Sequence, residues 1–361
     1  MEAREMKILL LSRYDRLGAS SRLRSYQYLE QMRERGHKID VAPLLSNYYL
    51  QRIYAGKRAP LAATAMAYVR RIVRMFRSAS YDLIWIEYEA LPWIPLFLES
   101  FLTKSGTPYV VDYDDAVFHR YDQHFSKTVR LLLGRKIDGV MRGSKLVIAG
   151  NEYIAQRARE AGAPHVEIVP TAVDLTRFSR SNPPRRSTFT IGWIGTPKTE
   201  HYLYTIREAL RDVCQGGSSR LTTIGSSAIE MNGVPVETRP WQETTEAEEL
   251  QRIDVGIMPI PDSPWEHGKS GYKLLQYMAT ARPVIASPVG VNRQIVQHGI
   301  NGYLASSQEE WKRAFYSLRD DVARRSQMGN AGRQLVEQSY STSVIAPRLI
   351  SLLEHSVSRR N

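Results

Sequence analysis

Cysteine is nearly missing from this sequence: Cys214 is the single one in 361 residues. One thiol excludes an intrachain disulfide and any zinc site built from several thiolates, and it is typical of a reducing compartment. We expect Cys214 to be a small residue packed within a helix. Long apolar runs are also missing, because the most hydrophobic stretch, residues 83–102, is interrupted by glutamates and prolines. That stretch is therefore excluded as a membrane-spanning helix, which needs about 20 apolar residues.

Two further absences narrow the functional class. No GxGxxG motif follows the first apolar run, so a dinucleotide redox cofactor is not indicated, and we predict no cofactor. The apolar run after Lys7 is too short for a secretory leader and is better explained as a buried strand. We therefore predict a cytoplasmic protein that can associate peripherally with the inner face of the membrane.

Positive charge is present in excess, and it is unevenly distributed. The formal net charge is +12. Residues 1–187 hold 30 Lys and Arg against 19 Asp and Glu, whereas residues 188–361 hold 19 against 18. Only the first half of the chain is therefore expected to face a polyanion.

Short apolar runs alternate with longer amphipathic ones, the pattern of a mostly parallel sheet covered by helices on both faces. In the first half the spacing predicts one helix over residues 20–35, with Leu23, Tyr26, Leu29 and Met32 on one face. The predicted strands are Lys7–Leu11, Lys38–Pro43, Leu83–Ile86, Tyr109–Val111, Lys145–Ala149, Val166–Val169, Thr188–Ile194, Leu221–Ile224, Val255–Ile257 and Pro283–Ala286.

The alternation stops at 179–187, where two prolines and three arginines occur without an apolar residue, and then restarts. We predict an α/β fold of two tandem Rossmann-like, doubly wound domains that face a cleft: residues 1–180, a linker at 181–187, and residues 188–340. Residues 309–355 are expected to be almost entirely helical. Ligands of such sheets bind beyond the carboxyl ends of the strands.

The first candidate site is the segment after the first strand, Gly18-Ala19-Ser20-Ser21-Arg22. Gly18 permits a close turn, Ser20 or Ser21 could cap the next helix, and Arg22 would strengthen the attraction of a helix N-terminus for an anion. We predict that Gly18, Ser20 and Arg22 help to bind the anionic part of a substrate; a plain helix start with solvated arginines is the alternative.

The second candidate is Asp112-Tyr113-Asp114-Asp115, at the end of the strand predicted over Tyr109–Val111. Three carboxylates within four residues repel one another and need a cation, a role as a base, or solvent. A magnesium site competes with the binding of sugar hydroxyls, with base catalysis, and with a simple helix cap. We predict catalytic roles for Asp114 and Asp115 and no metal.

The third candidate is the segment Trp265–Ala279, WEHGKSGYKLLQYMA. We predict that Gly268 and Ser270 mark a helix start, so that Lys269 and Lys273 share one face of that helix. Two lysines beside a helix N-terminus can hold a diphosphate without a metal. The alternative is a solvated pair of lysines.

Residues 273–292, KLLQYMATARPVIASPVGVN, resemble the donor-domain signature of bacterial GT-B retaining glycosyltransferases of family four. IVPTAVDLTRF (168–178), FTIGWIGTP (189–197), DVGIMPIPD (254–262) and NGYLA (301–305) support the resemblance over most of the chain. It implies that the first domain takes the acceptor, that the second takes a nucleotide-sugar, and that a C-terminal helix within residues 341–361 crosses back to the first domain.

The sequence departs from the family pattern at named positions. Of two glutamates that are usual eight residues apart, the first is replaced by Gly268 and the second by Gln276, while Glu266 lies nearby. The usual Arg and Lys after the domain-opening strand are replaced by Thr196, after Gly195, with Lys198 close to it. The resemblance implies that Glu266 is catalytic and that the donor is bound by these residues: Gly195, Thr196, Lys198, Gly268, Lys269, Ser270, Lys273, Leu274 and Gln276.

A last feature is Tyr68–Arg77, YVRRIVRMFR, where Arg70, Arg71, Arg74 and Arg77 interleave with apolar residues. This pattern predicts a basic amphipathic helix suited to an anionic membrane surface. A helix packed on the core with a solvated arginine face is the alternative. Nucleic acid is not a predicted partner, since no nucleic-acid-binding module is present.

Together these features predict a glycosyltransferase that moves a sugar from a nucleotide-diphosphate-sugar to a lipid-linked or polysaccharide acceptor, with retention and without a metal. A nucleotide-sugar epimerase of the same fold and a non-catalytic nucleotide-sugar-binding partner are the alternatives. The absent Arg and Lys pair and Gln276 motivate the second of them.

Overall fold

A computed structural model describes residues 5–99, 106–179 and 188–357 of the chain. The chain divides into two compact units, Met1–Thr171 with Gly268–Ser270 and Ile345–Asn361, and Ala172–His267 with Gly271–Val344. The first long segment thus ends at Thr171, before the predicted boundary at residue 180. The predicted linker, residues 181–187, lies outside the described residues.

The first unit contains a parallel sheet in which the described strands have the order β2-β1-β3-β4-β5-β6. Its central strands are buried on both faces, as parallel strands covered by helices must be. The strands are β1 Lys7–Leu11, β2 Lys38–Val41, β3 Leu83–Glu87, β4 Tyr109–Tyr113, β5 Leu146–Ala149 and β6 Val166–Ile168.

The second unit repeats the arrangement, with the described strands in the order β12-β11-β10-β7-β8-β9 and all pairs parallel. Both outermost strands, β9 and β12, were not predicted, because each is short and partly exposed and so shows no continuous apolar run. The strands are β7 Phe189–Ile194, β8 Ser219–Ile224, β9 Val236–Arg239, β10 Val255–Met258, β11 Val284–Ala286 and β12 Gly302–Leu304. The predicted pair of doubly wound α/β folds is confirmed.

The helix predicted over residues 20–35 is interrupted. It is divided at Ser25 into two short α-helices with a 3₁₀ turn, Tyr26–Tyr28, between them. Residues 96–99 are also helical. The other described α-helices of the first long segment are α1 Ala19–Arg24, α2 Leu29–Glu34, α3 Asn47–Tyr54, α4 Leu61–Phe76, α5 His119–Asp122, α6 Lys127–Leu133, α7 Lys136–Gly143 and α8 Glu152–Glu160.

The chain from 308 onward is almost wholly helical, as predicted, and its last helix begins within the second unit and continues in the first. A capping box at Ser307 and Glu310 fixes the start of α14. The remaining described α-helices are α9 Arg207–Cys214, α10 Glu246–Gln251, α11 Pro264–His267, α12 Tyr272–Ala279, α13 Asn292–Ile295, α14 Gln308–Asp320, α15 Val322–Leu335 and α16 Thr342–Ser356. Cys214 is buried at the end of α9, and burial raises the pKa of its thiol to about 11.

The predicted basic helix is the second half of α4, and one of its four arginines does not face solvent. Arg71 is buried and donates hydrogen bonds to Ser12 O at 2.5 Å and to Ala42 O at 2.9 Å. Arg70, Arg74 and Arg77 are exposed. Arg71 therefore anchors the helix to the strand ends beneath it, and three arginines rather than four remain on the outer face.

None of the helices in the described ranges is both long and apolar enough to span a bilayer.

Candidate active site

The carboxyl ends of β1, β3 and β4 bring a buried polar cluster together in the first unit. The Tyr88 hydroxyl donates a hydrogen bond to the Asp114 carboxylate, and Ser20 Oγ lies 3.0 Å from the same hydroxyl. Tyr88 has φ of +62°, a backbone conformation that costs a non-glycine residue free energy. Such strain is retained where the surrounding contacts fix the side chain, so Tyr88 is positioned to orient Asp114.

Asp115 forms an ion pair with Lys269, whose Nζ lies 3.2 Å from Oδ1. Burial raises the pKa of Asp115, an effect that the ammonium of Lys269 opposes and the neighbouring Asp114 reinforces. Asn151 Nδ2 donates to the Lys269 carbonyl at 3.0 Å, which fixes the backbone of the lysine. These contacts lie within the first unit, to which Gly268–Ser270 belong.

Asp112, the first carboxylate of the predicted cluster, lies inside β4 rather than after it. Its Oδ1 accepts a hydrogen bond from Arg24 Nε at 2.7 Å, and both side chains are buried. Arg24 also donates to Val169 O at 2.8 Å. The three aspartates thus have three different partners: an arginine, a tyrosine and a lysine. Within residues 5–99, 106–179 and 188–357, no group of three or more His, Cys, Asp or Glu side chains is placed to hold a metal ion.

The segment after β1 differs from its prediction. The N-cap of α1 is Gly18, and neither Ser20 nor Ser21 caps the helix. A Cβ on Gly18 would lie 2.3 Å from Tyr14 Cβ, so the glycine is required by close packing. Arg22 is buried and donates to Arg16 O at 3.1 Å. A six-residue helix with a buried arginine gives little support to an anion site there, and donor binding by Gly18, Ser20 and Arg22 remains a prediction.

The predicted helix start at Gly268 and Ser270 is wrong. The helix α12 begins at Tyr272, and its N-cap is Gly271 in the left-handed conformation, with φ of +67°. Lys269 therefore precedes the helix and does not share a helical face with Lys273. Gly268 is instead required by close packing, because a Cβ there would lie 2.4 Å from Ala116 Cβ. Ser270 is partly buried in the turn before Gly271.

The second unit holds its own candidate binding cluster at the end of β7. Lys273 Nζ lies 4.4 Å from the centroid of the Trp193 ring, a cation–π contact. A Cβ on Gly195 would lie 2.2 Å from that ring and 2.8 Å from Lys273 Nζ. Because Gly195 has no side chain, the ammonium group of Lys273 can lie beside the backbone of residue 195. Lys273 is the second residue of α12, so its side chain leaves the helix in the first turn, where backbone N–H groups lack partners within the helix.

The other residues predicted around this cluster have different environments. Gln276 is buried in α12, and the Leu274 side chain lies in the hydrophobic core; donor binding by these two residues remains a prediction. Thr196 and Lys198 are exposed in the turn that follows Gly195. That turn is closed by a hydrogen bond from Thr199 Oγ1 to Thr196 O at 3.2 Å.

Glu266, predicted to be catalytic, is buried in α11. Its two carboxylate oxygens accept hydrogen bonds from the hydroxyls of Tyr202 and Ser263. These donors orient the carboxylate within the second unit.

Three residues of these clusters were not predicted from the sequence. Tyr88 directly follows β3, and Trp193 lies near the end of β7, two residues before Gly195 in FTIGWIGTP (189–197). Their places at the ends of predicted strands could have indicated both residues. Tyr202 lies in a 3₁₀ helix, Glu200–Ile206, 64 residues from Glu266 in sequence. Nothing in local sequence indicates that pairing.

A buried carboxylate, Glu87, ends β3 beside the Tyr88 cluster. Its Oε2 accepts hydrogen bonds from Arg13 N at 2.8 Å and from Ser21 Oγ at 2.5 Å. Its Oε1 is buried and has no hydrogen-bond partner in the part of the chain that the structure describes. Burial raises the pKa of Glu87 to about 7, although both hydrogen bonds oppose the shift.

Comparison with protein families gives two matches in tandem. Residues 10–173 match the family described as glycosyl transferase 4-like domain, and residues 188–321 match glycosyl transferases group 1. The two families together account for most of the chain. Both are glycosyltransferases, which favours the predicted transferase over the epimerase and the non-catalytic partner. No curated protein matches the chain.

Solved structures show the same fold over nearly the full length. HepE from Anabaena, in complex with UDP and glucose, is 16% identical, with 97% of this chain and 99% of HepE covered and a TM-score of 0.70. Sucrose-phosphate synthase from Thermosynechococcus elongatus is 14% identical, with 98% and 99% covered and a TM-score of 0.71. A glycosyltransferase from Rickettsia africae is 11% identical, with 98% and 99% covered and a TM-score of 0.70.

Replacing Glu87 by Gln tests the raised pKa of this carboxylate. With a pKa of about 7 in the folded state and 4.5 in the unfolded state, the folded protein binds more protons between these values, so Glu87 reduces stability as pH rises through them. Glutamine does not titrate. Relative to wild type, Glu87→Gln should therefore gain up to about 3 kcal/mol of unfolding free energy between roughly pH 5 and pH 8. Urea denaturation at both pH values measures the difference; an equal effect of the substitution at both would contradict the shift.

Proposed function

Because the chain belongs to the group 1, GT4-like glycosyltransferases of the GT-B fold, we propose that it transfers a sugar from a nucleotide-diphosphate-sugar to a lipid-linked or polysaccharide acceptor, with retention of configuration and without a metal ion. The class of donor is inferred from the ammonium group of Lys273. Its Nζ lies 2.8 Å from the position that a Cβ on Gly195 would occupy, so the positive charge lies beside the backbone of this glycine. A cation beside open backbone and a helix N-terminus suits a diphosphate. HepE, of the same fold, is described in complex with UDP-glucose.

The leaving group is the part of the reaction that this site can assist. As the bond from the sugar to the diphosphate breaks, negative charge develops on the departing oxygen. An ammonium and backbone N–H groups that are already in position stabilise this charge without reorganising. The preorganisation comes from packing, since Lys273 is held over the Trp193 ring.

We assign the acidic residues to orientation and proton handling. Asp114, held by Tyr88, and Asp115, paired with Lys269, would position the acceptor or the sugar in the first unit. Glu266, which accepts hydrogen bonds from two hydroxyls in the second unit, is assigned to proton transfer. Retention in a single step requires that the acceptor oxygen attack the face of the sugar from which the diphosphate departs, with the proton of the acceptor hydroxyl passing to the departing diphosphate oxygen or to a carboxylate.

Metal independence is proposed from the partners of the carboxylates. A magnesium site on the DYDD segment needs carboxylate oxygens free to converge on one ion. Asp112 instead pairs with Arg24, and Asp115 pairs with Lys269. The positive charge that a metal would supply to the diphosphate is assigned to Lys273.

Peripheral binding to an anionic membrane is proposed for the outer face of α4. Arg70, Arg74 and Arg77 are exposed there, and Val69 and Val73 between them are also exposed. Each cation near an anionic surface contributes about 1 kcal/mol, so three arginines supply roughly 3 kcal/mol at low salt. That supports reversible association with a membrane that carries a lipid-linked acceptor.

Transfer itself is tested by incubating the protein with a panel of nucleotide-sugars, with and without lipid extract. Release of the nucleoside diphosphate should depend on the extract and should persist in a chelator. Release that stops in chelator and returns with magnesium would contradict metal independence. No release with any donor or acceptor would contradict the proposed transfer.

Lys273→Ala tests the diphosphate contact. Loss of a charge-assisted hydrogen bond of about 1.5–3 kcal/mol should weaken nucleoside diphosphate binding roughly ten- to a hundredfold. Lys269→Ala should weaken it less, because Lys269 precedes α12 and lies beside Asp115 of the first unit. Lys312→Ala is the matched control, since that lysine of the second unit is paired with Asp212 and Glu309 at 3.1 Å each. Calorimetry that gives the same affinity for Lys273→Ala and the control would reject the assignment.

Changing Arg70, Arg74 and Arg77 together to Gln tests the membrane contact. Cosedimentation with anionic vesicles at low salt should fall sharply, while nucleotide affinity should not change. The matched control is the equivalent change of three exposed arginines of the second unit, Arg207, Arg293 and Arg313. Equal loss of vesicle binding in both triple variants would show a general charge effect and no specific contact at α4.

A further inference from the structure

The exposed large apolar side chains are concentrated in one part of the chain. Of eighteen in the described residues, thirteen lie between Tyr48 and Leu132, all within the first unit. Three of the most exposed fall together at the end of this stretch: Phe125 at 89%, Leu131 at 85% and Leu132 at 64%. Scattered exposed apolar residues are normal, but such a cluster marks an interaction surface.

The segment that carries them is held in place by its own hydrogen bonds. Arg130, in α6, donates from Nη1 to the carbonyls of His124 and Phe125, which fixes the turn that precedes the helix. Leu133 is buried and attaches α6 to the core, so Leu131 and Leu132 project on another side of the helix. The exposed side chains are thus presented by an anchored element.

Aromatic contacts connect this segment to the region of α4. The Phe125 ring lies 4.2 Å from the His124 ring, and the Trp93 ring lies 5.7 Å from His124, measured between centroids. Tyr68, in α4, donates a hydrogen bond to Pro92 O at 3.0 Å. The inner side of α4 therefore contacts the loop that carries Trp93, and Trp93 in turn lies near the His124–Phe125 pair.

The charges on this surface are positive. Residues 41–81 contain seven Lys and Arg, of which Arg71 is buried, and neither Asp nor Glu. Lys127 begins α6 and Arg135 follows its end, and both are exposed. Asp122, before α6, is paired with His119 at 2.8 Å and with Arg157 at 3.3 Å.

We propose that residues 125–132 form a second membrane contact, in which Phe125, Leu131 and Leu132 enter the hydrocarbon boundary of an anionic bilayer. The proposal rests on the membrane association proposed above and adds an apolar contact to its electrostatic one. Apolar side chains flanked by cations are typical of segments that lie in the membrane interface. A bilayer satisfies both features of this surface: its excess of positive charge and the projecting leucine pair.

Insertion is tested by fluorescence on the full chain. Because Cys214 is buried, a thiol introduced by Leu131→Cys can be labelled selectively with an environment-sensitive dye. Vesicles of phosphatidylcholine with anionic phosphatidylglycerol should shift its emission to the blue, and a quencher attached to the acyl chains should reduce it. The control is Ile300→Cys, on an exposed apolar residue of the second unit, which should show neither effect.

A second variant separates this contact from that of α4. Combined change of Phe125, Leu131 and Leu132 to Ser should lower the partition coefficient about tenfold in salt of roughly 1 M, where charges are screened within about 3 Å. The control is the change of Tyr204, Ile300 and Val322, three exposed apolar residues of the second unit, to Ser, which should not lower the partition coefficient.

Vesicle binding without a shift at Leu131→Cys overturns the insertion but leaves membrane association at α4 standing. No binding to any vesicle overturns both, while sugar transfer to a soluble acceptor remains a separate measurement. Self-association that the serine variant abolishes would assign this surface to a second copy of the chain and would also overturn the insertion.

Discussion

The packing of Gly195 against Trp193 and Lys273 is the constraint on which the account of this protein depends. No Cβ fits at this position, because it would lie 2.2 Å from the Trp193 ring and 2.8 Å from Lys273 Nζ. The charge of Lys273 therefore lies beside the Gly195 backbone, directly after the buried parallel strand β7. In such sheets the edge at the carboxyl ends of the strands is where the chain is free to meet a ligand, since both faces are covered by helices.

In the first unit, several carboxylates lie close together at one edge of the sheet. Each aspartate of the DYDD segment has its own partner, so their mutual repulsion is relieved without a shared cation. The partners come from distant parts of the sequence: Arg24 for Asp112, Tyr88 for Asp114 and Lys269 for Asp115. The side chains of the three aspartates are therefore held in place before any substrate binds. A site that orients hydroxyl groups requires such fixed side chains.

Much of the fold follows from local patterns, and most of the site does not. Buried strands such as β1 and β7 are recognisable as apolar runs, whereas β9 and β12 are not, because each is short and partly exposed. The helix predicted over residues 20–35 fails at Ser25, whose side chain bonds back to Ser21 O. Lys269 and Lys273 are spaced like neighbours on a helix, but Gly271 in the left-handed conformation starts the helix between them. Long-range partners such as Tyr202 for Glu266 leave no local signature.

The claim that Lys273 and the backbone at Gly195 receive the donor diphosphate is tested most directly by a crystal structure with a bound nucleoside diphosphate. The account predicts a phosphate oxygen within about 2.7–3.0 Å of Lys273 Nζ, with the ligand against Gly195 and the first N–H groups of α12 and without a bridging metal ion. A diphosphate bound elsewhere, or held by a metal ion on Asp112, Asp114 or Asp115, would contradict it.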